Sequence, residues 1–364
     1  MSNPLKFTIL SGDRSGPFYH TYGTSLPYFE KYNMLDAKAI DYVDSGLLKV
    51  SDVVEFQRQY CSESVIMMKK LKKLGKVCIF HCDDNIWELP PNNPAISTYK
   101  PGSPVVERFE MLMKMAHAVT TSTPYLKKWC LKYNPNVYVY RNLVDPIIES
   151  FKSPGGDNPE EIRIGWTGTP HHHDDIAPIE PLFLELVKDP RVKLVFMGYA
   201  PPTVLHNIPR ARWEYYDFVP VDAFYMTLAN LDFDIGIAPL IEHGFNYGKT
   251  ARKAQEYAIL KVPMVLSSIK CYSEWKHGET CLKPQENTVQ GWLKRITYLI
   301  ENPKEANKLS EMAYKQVIKN HDINVYSWER ANLYYTIYEE VTGTKHPHME
   351  YVTRGYTISR AGGN

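Results

Sequence analysis

The chain has no long apolar run, no strong charge of either sign and no paired cysteines, and each absence narrows its class. No stretch approaches the roughly 20 consecutive apolar residues that a membrane-crossing helix needs. Residues 1–6 lack the basic-then-apolar pattern of a secretory leader, so a cytoplasmic protein without a transmembrane segment is expected. The six cysteines, Cys61, Cys78, Cys82, Cys130, Cys271 and Cys281, include no CxxC pair. Reduced thiols are therefore expected, not a disulfide framework or a zinc site. A formal net charge of +1 excludes a strongly polycationic surface but leaves room for a local basic groove. Residues 1–145 carry 18 Lys and Arg against 14 Asp and Glu, and residues 146–320 carry 20 against 22. This asymmetry permits an anionic partner for the first half without requiring one.

What is present is a length of 364 residues, more than one core usually organises, with the 44% hydrophobic and 23% charged composition of an ordinary globular protein. Residues 7–10 read as a strand that runs into the glycine-bearing loop 11–17. Further strands read at 53–57, 77–80, 118–121 and 136–140, separated by helical periodicity at 63–75 and 105–115. Proline, glycine and polar residues at 141–146 and 153–159 mark a boundary. The pattern then restarts, with strands at 162–166, 193–197, 213–218, 235–238 and 263–267 and helices near 178–188 and 222–231. An amphipathic helix at 327–340 and a polar tail close the chain. Strands alternating with helices predict two α/β domains, each a Rossmann-like, doubly wound parallel sheet: residues 1–145 with 325–364, and residues 146–324. Ligands of such sheets sit beyond the carboxyl ends of the strands, so the loops face a shared cleft.

The stretch from Gly248 to Tyr257, followed by apolar Val262 to Leu266, reads as a glycine-opened helix leading into a buried strand. Lys249, Lys253 and Glu256 then fall on one helical face. Two cations near a helix N-terminus suit phosphates, and the carboxylate suits sugar hydroxyls. A solvated helix with an ordinary charge pair reads equally well from this segment alone.

In order and spacing, the second half resembles the nucleotide-binding domain of glycosyltransferases with the two-Rossmann GT-B architecture, the "group 1" family. Arg141-Asn142-Leu143-Val144-Asp145 is similar to that family's interdomain linker. Ile164 to Pro170, Val195 to Gly198, Leu231 to Leu240 and Lys253 to Val265 are similar to its successive motifs. The likeness covers residues 160–340 and, more loosely, 1–145. It implies a GT-B fold whose C-terminal helix returns to the first domain. It also implies transfer of a sugar, with retention, from a nucleoside-diphosphate sugar such as a UDP-sugar to an acceptor hydroxyl on an envelope glycan or glycoside. No cofactor and no metal are implied, because the protein supplies the charge that stabilises the leaving diphosphate. By the same resemblance Glu256 holds the ribose hydroxyls, Lys249 and Lys253 neutralise the diphosphate, and Gly16 belongs to a glycine loop near the phosphates.

The chain departs from the family in two places. Gly248 stands where the family often has another glutamate, and the nearest earlier acid is Glu242; Asn246, or backbone N–H groups near Phe245, are expected to take the sugar contacts. The family's arginine-and-lysine pair is replaced by the run from Thr167 to Asp175, which holds three histidines. Thr167, Gly168 and His172 are the candidate phosphate contacts. Adjacent histidines cannot all reach one ion without a tight loop, and ligand contact and helix capping by Asp174 are the readings that remain beside metal binding.

In the first domain, Asp83 and Asp84 follow an apolar strand. One of them is expected to orient the acceptor hydroxyl or to stabilise positive character at the anomeric carbon, since neighbours on an extended chain point opposite ways; a helix cap is the alternative. His81 reads as structural, and Tyr19, Tyr22 and Trp87 are candidates for stacking on sugars or bases. The basic run from Lys69 to Lys76 reads as a solvated helix face or as a contact for an anionic acceptor such as DNA or a lipid headgroup. Three other functions fit the same features: sugar transfer to hydroxymethylated bases in DNA, a nucleotide-sugar-binding protein without turnover, and a sugar epimerase of the same fold.

Overall fold

The computed structural model describes residues 2–12, 15–153 and 160–362. Asp13 and Arg14 of the first glycine loop, and residues 154–159 of the boundary segment, lie outside the described residues. Among the described residues, eleven strands form two fully parallel sheets. The first has the order β2-β1-β3-β4-β5-β6, built from Lys6–Ser11 (β1), Asp36–Ile40 (β2), Val53–Gln57 (β3), Val77–Cys82 (β4), Ala118–Thr121 (β5) and Val137–Val139 (β6). The second has the order β11-β10-β7-β8-β9, from Ile162–Thr167 (β7), Val192–Met197 (β8), Trp213–Tyr216 (β9), Ile235–Ala238 (β10) and Met264–Leu266 (β11).

The strands form where apolar residues run continuously, because a parallel sheet is covered on both faces. Every residue of β3, β4, β5 and β10 is buried. β2 was not legible in the sequence. It is an edge strand whose Asp36 and Lys38 break the apolar run, and its burial alternates instead.

One face of the first sheet is covered by the helices Ser62–Lys73, Pro104–Met115 and Pro124–Cys130, which share one core with β3 and β4. The other face receives the C-terminal helix Ile323–Thr342. There the Tyr334 and Phe7 ring centroids are 4.2 Å apart, and the Tyr335 hydroxyl accepts from Leu5 N and donates to Met34 O, both at 2.9 Å. The tail beyond it, read from the sequence only as polar, is helical over Met349–Gly362. Gly355 lets that helix seat on Trp328, whose ring carbon would lie 2.3 Å from a Cβ at this position.

The chain crosses between the domains twice, side by side. Val144 N donates to His321 O at 2.9 Å and Ile323 N donates to Val144 O at 3.0 Å, so the linker and the return crossover are bonded to each other.

Candidate functional site

Each sheet reverses its strand order once, between β1 and β3 in the first and between β7 and β10 in the second. Crevices form at such switch points, outside the carboxyl ends of the strands. Here the two crevices face each other across a cleft of about 620 Å³. Gly16 follows β1, Arg58 follows β3 and Asp83 and Asp84 follow β4; Thr167 ends β7, and Gly168 and His172 follow it; Lys249, Arg252, Lys253 and Glu256 precede β11. All of them line this cleft.

The cationic wall is built differently from the sequence expectation. Gly248 does not open a helix; it closes the short helix Gly244–Gly248. Lys249 is extended at φ −68° and ψ 152°, and the next helix begins only at Arg252 and runs to Ile259. Lys249 and Lys253 therefore come from separate elements instead of one helical face, and converge because the intervening turn folds back. The correction brings in a residue that sequence reasoning passed over. Arg252 lies four residues before Glu256, and its Nε is 3.4 Å from Glu256 Oε1. Its guanidinium also donates to Leu143 O at 2.8 Å and to the Tyr225 hydroxyl. The i, i+4 Arg–Glu spacing is the sequence signal that would have found it.

Burial pushes the Glu256 carboxyl up, against the pull of Arg252 and Lys253. Lys253 is lowered to about 8, first by burial and then by the like charge of Lys249. Its Nζ lies 3.5 Å from His172 Nε2 and 5.6 Å from the centre of the Trp166 ring. His172 is held below its ordinary range by burial and by the two lysines. As a neutral ring it donates from Nδ1 to Asp175 Oδ2 at 2.8 Å and presents the Nε2 lone pair to Lys253. Asp175, also missed in the sequence, takes a second bond from Asn246 Nδ2 at 2.7 Å and a third from Ile241 N at 3.1 Å.

Two of the expected contacts do not face this cleft. Asn246 is buried, and its side-chain amide is spent on Asp175 and on Ile241 O at 3.1 Å. It lines a small side pocket and acts as a strut for Asp175. Gly248 packs the second domain onto the first: its carbonyl accepts from Thr123 Oγ1 at 3.1 Å. Gly168 reaches the cleft, yet it also makes room for Trp166, whose ring would lie 2.5 Å from a Cβ there. Gly16 is the converse case. Among the described residues a Cβ would meet only the His20 ring, at 3.8 Å, so their packing does not require glycine at that position.

On the first-domain side of the cleft, Asp83 and Asp84 do not point opposite ways. Both are beyond the last residue of β4, and both accept from one Arg58 guanidinium, through Nε and Nη2. Arg58 itself has φ 49°, a backbone strain that clusters at functional sites. Burial pushes the Asp84 carboxyl up while Arg58 pulls it down, with a net rise. Asp84 is the more accessible of the two, at 35% against 8% side-chain exposure. His81 is fully buried and bonded to Thr120 Oγ1 at 3.0 Å. Tyr22 is buried in the first-domain core, and Trp87 stacks on Trp129 at 5.3 Å. Among the described residues no group of three or more His, Cys, Asp or Glu side chains is placed to hold a metal ion, and no helix is long and apolar enough to cross a membrane.

No protein-family profile matches this chain, and no curated protein matches it in sequence. In three dimensions it is similar to Anabaena HepE solved with UDP and glucose, with a TM-score of 0.66 and 12% identity over 91% of this chain and 100% of that one. It is similar to a glycosyltransferase from Rickettsia africae, with a TM-score of 0.62 and 11% identity over 93% and 99%. A candidate UDP-N-acetylglucosamine 2-epimerase from Listeria monocytogenes superposes with a TM-score of 0.56 and 13% identity over 94% and 98%. At such identities the likeness speaks for the fold: the chain has the GT-B fold, as the resemblance in its motifs implies.

Proposed function

We propose that this protein transfers a sugar from a nucleoside-diphosphate sugar, a UDP-sugar in the first instance, to an acceptor hydroxyl. The observation that carries the reading is the charge gathered in the cleft: Lys249, Arg252, Lys253 and a helix N-terminus line its second-domain wall, and a clamped pair of carboxylates lines its first-domain wall. As the glycosidic bond breaks, the departing diphosphate gains charge. Cations fixed in advance around that position lower the barrier, since they need no reorganisation at the moment of reaction. Glu256 suits the ribose hydroxyls, and Thr167, Gly168, His172 and the Gly16 loop suit the phosphates. Asp84, the more exposed carboxylate, suits the acceptor hydroxyl, and Asp83 with Arg58 holds it in place. With the charge supplied by side chains, the reaction is expected to proceed without metal and to tolerate a chelator. Retention of configuration rests on the family resemblance.

HepE was solved with UDP and glucose, which supports a UDP-sugar as the first donor to test. The likeness to an epimerase candidate favours a second reading, interconversion of the donor sugar at the same cleft. One experiment separates them. The protein is incubated with UDP-sugars, with and without a panel of glycan, glycoside and hydroxymethylated-DNA acceptors, and the products are resolved by chromatography. Acceptor-dependent release of UDP supports transfer, and a new UDP-sugar formed without acceptor supports epimerisation. Binding of UDP with neither product would leave a nucleotide-sugar-binding protein.

A further inference from the structure

The basic run noted in the sequence is part of a larger surface. The helices Ser62–Lys73, Pro104–Met115 and Pro124–Cys130 lie side by side on one face of the first sheet, because β3, β4, β5 and β6 follow one another in a single direction across it. Their inner sides are packed: Val65, Met68, Leu71, Phe109, Leu112 and Cys130 are all buried. Hydrogen bonds tie the three segments together. Lys72 Nζ donates to Met115 O at 2.5 Å, tying the first helix to the second. Asn134 Nδ2 donates to Met113 O and Ala116 O, both at 2.9 Å, tying the second helix to the end of the third.

The outer face combines two features that rarely coincide. On the first helix Ile66, Lys69, Lys70, Lys73 and Leu74 are exposed at the spacing of a single helical stripe. Lys114 on the second helix, Lys128 on the third and Lys132 just beyond it continue the charge. Four large apolar side chains stand out among these lysines: Ile66 is 53% exposed, Leu74 55%, Met111 43% and Leu131 46%. The exposed acids on the three helices are Glu63 and Glu107, so the face is strongly positive in a chain whose net charge is only +1.

We propose that this face docks the protein on an anionic lipid bilayer, lying flat with the apolar side chains in the headgroup region. Lysines near an anionic surface attract it, and interspersed apolar side chains add burial that a purely electrostatic contact lacks. A nucleic acid fits less well. Phosphate recognition favours the bidentate arginine fork, whereas the one arginine on these helices, Arg108, gives its Nε to Tyr60 O at 2.7 Å. Exposed isoleucine and leucine gain nothing against a phosphate backbone. The face flanks the sheet, while the cleft opens at the strand ends, so docking leaves the cleft accessible.

The test is flotation of the full chain with vesicles of phosphatidylcholine alone and of phosphatidylcholine with phosphatidylglycerol, at low and high salt. Binding is expected only to the anionic vesicles and to weaken with salt. The Lys69→Glu/Lys70→Glu/Lys73→Glu variant is expected to bind more than about 100-fold more weakly, since loss of three lysines alone accounts for about that factor and the new carboxylates add repulsion. The milder Lys69→Gln/Lys70→Gln/Lys73→Gln variant is expected to fall between, and Ile66→Ser/Leu74→Ser to lose the salt-resistant part. UDP-induced thermal stabilisation, unchanged in all of them, would show that the fold and the cleft are intact. No binding to anionic vesicles at low salt, equal binding to both vesicle types, or full binding by the triple-glutamate variant would each overturn the proposal. Tighter binding to duplex DNA through the same lysines would overturn it as well.

Discussion

Replacing Lys253 by methionine should make the empty protein more stable and the liganded one weaker, and the opposition of the two signs is the test. In the empty cleft the ammonium group faces Lys249 and the neutral His172 ring, with Glu256 and Asp175 further compensating, and is held at about 8 against an ordinary 10.5. At 1.36 kcal/mol per pKa unit such a depression corresponds to about 3 kcal/mol. Lys253 is only partly buried, so solvent screening reduces the recoverable part to about 1–2 kcal/mol, or a rise of about 2–4 °C in Tm. In the proposed complex the same group would make a charge-assisted hydrogen bond of about 1.5–3 kcal/mol with the diphosphate, so Lys253→Met should weaken UDP binding about 10–100-fold. The pH dependence follows from the same shift. Between pH 8 and 10.5 the unfolded chain holds the proton that the folded chain has released, so the stability of the empty protein rises with pH through this window. The diphosphate restores the proton, so its affinity falls over the same range. Thermal melts and isothermal titration with UDP from pH 7 to 10 read both trends, and both should vanish in the methionine variant. A Lys253→Met protein with unaltered Tm and unaltered UDP affinity would remove the assignment of this wall of the cleft.

Three further outcomes are expected. Arg58→Ala releases the clamp on two adjacent carboxylates and should lower kcat about 10²-fold or more while leaving donor affinity within about twofold; Arg58→Lys, lacking the fork, should not restore it. Gly16→Val adds a side chain where the protein has room, so Tm should hold while the donor KM rises, and a lower Tm with unchanged KM would assign Gly16 a purely structural role. Glu256→Gln should cost about 1–3 kcal/mol in UDP binding but leave inorganic pyrophosphate binding unchanged, since only the former carries a ribose; equal losses would place the carboxylate elsewhere.

The parts of this molecule that were legible are those set by local periodicity. β4 and β10 announce themselves as short apolar runs, and the motif order after residue 160 points to the two-sheet fold. What the sequence concealed depends on contacts between distant segments. β2 is polar because it sits at an edge, and the Met349–Gly362 helix is polar because it packs through few positions, among them Gly355 against Trp328. The break between Lys249 and Arg252 is set by what the loop touches: Asn142 Nδ2 donates to Thr250 Oγ1 at 3.1 Å, across the domain junction. Arg58 was invisible because it lies 25 residues from Asp83, and nothing local marks it.

Gly248 brings these threads together. The glutamate that the family this chain resembles often carries at this point would be crowded here: a Cβ would already lie 3.1 Å from Leu126 Cδ2 and 3.2 Å from Asn85 Cβ. Those neighbours belong to the first domain, and Asn85 Nδ2 also donates to Gly244 O at 3.2 Å. The short helix before Lys249 is thus pressed against the carboxylate wall of the cleft, so the spacing between cations and carboxylates is set at this contact. Gly248→Val should push the two halves apart without unfolding either. Donor affinity, which the proposed reading assigns mainly to the second domain, should change less than about threefold, while kcat should fall at least tenfold, because a misplacement near 1 Å costs about two orders of magnitude in rate. Steady-state kinetics with separate donor and acceptor titrations read the split. A variant that lost donor binding and kept kcat would mean that Gly248 acts on the nucleotide itself, with no part in setting the gap between the two halves.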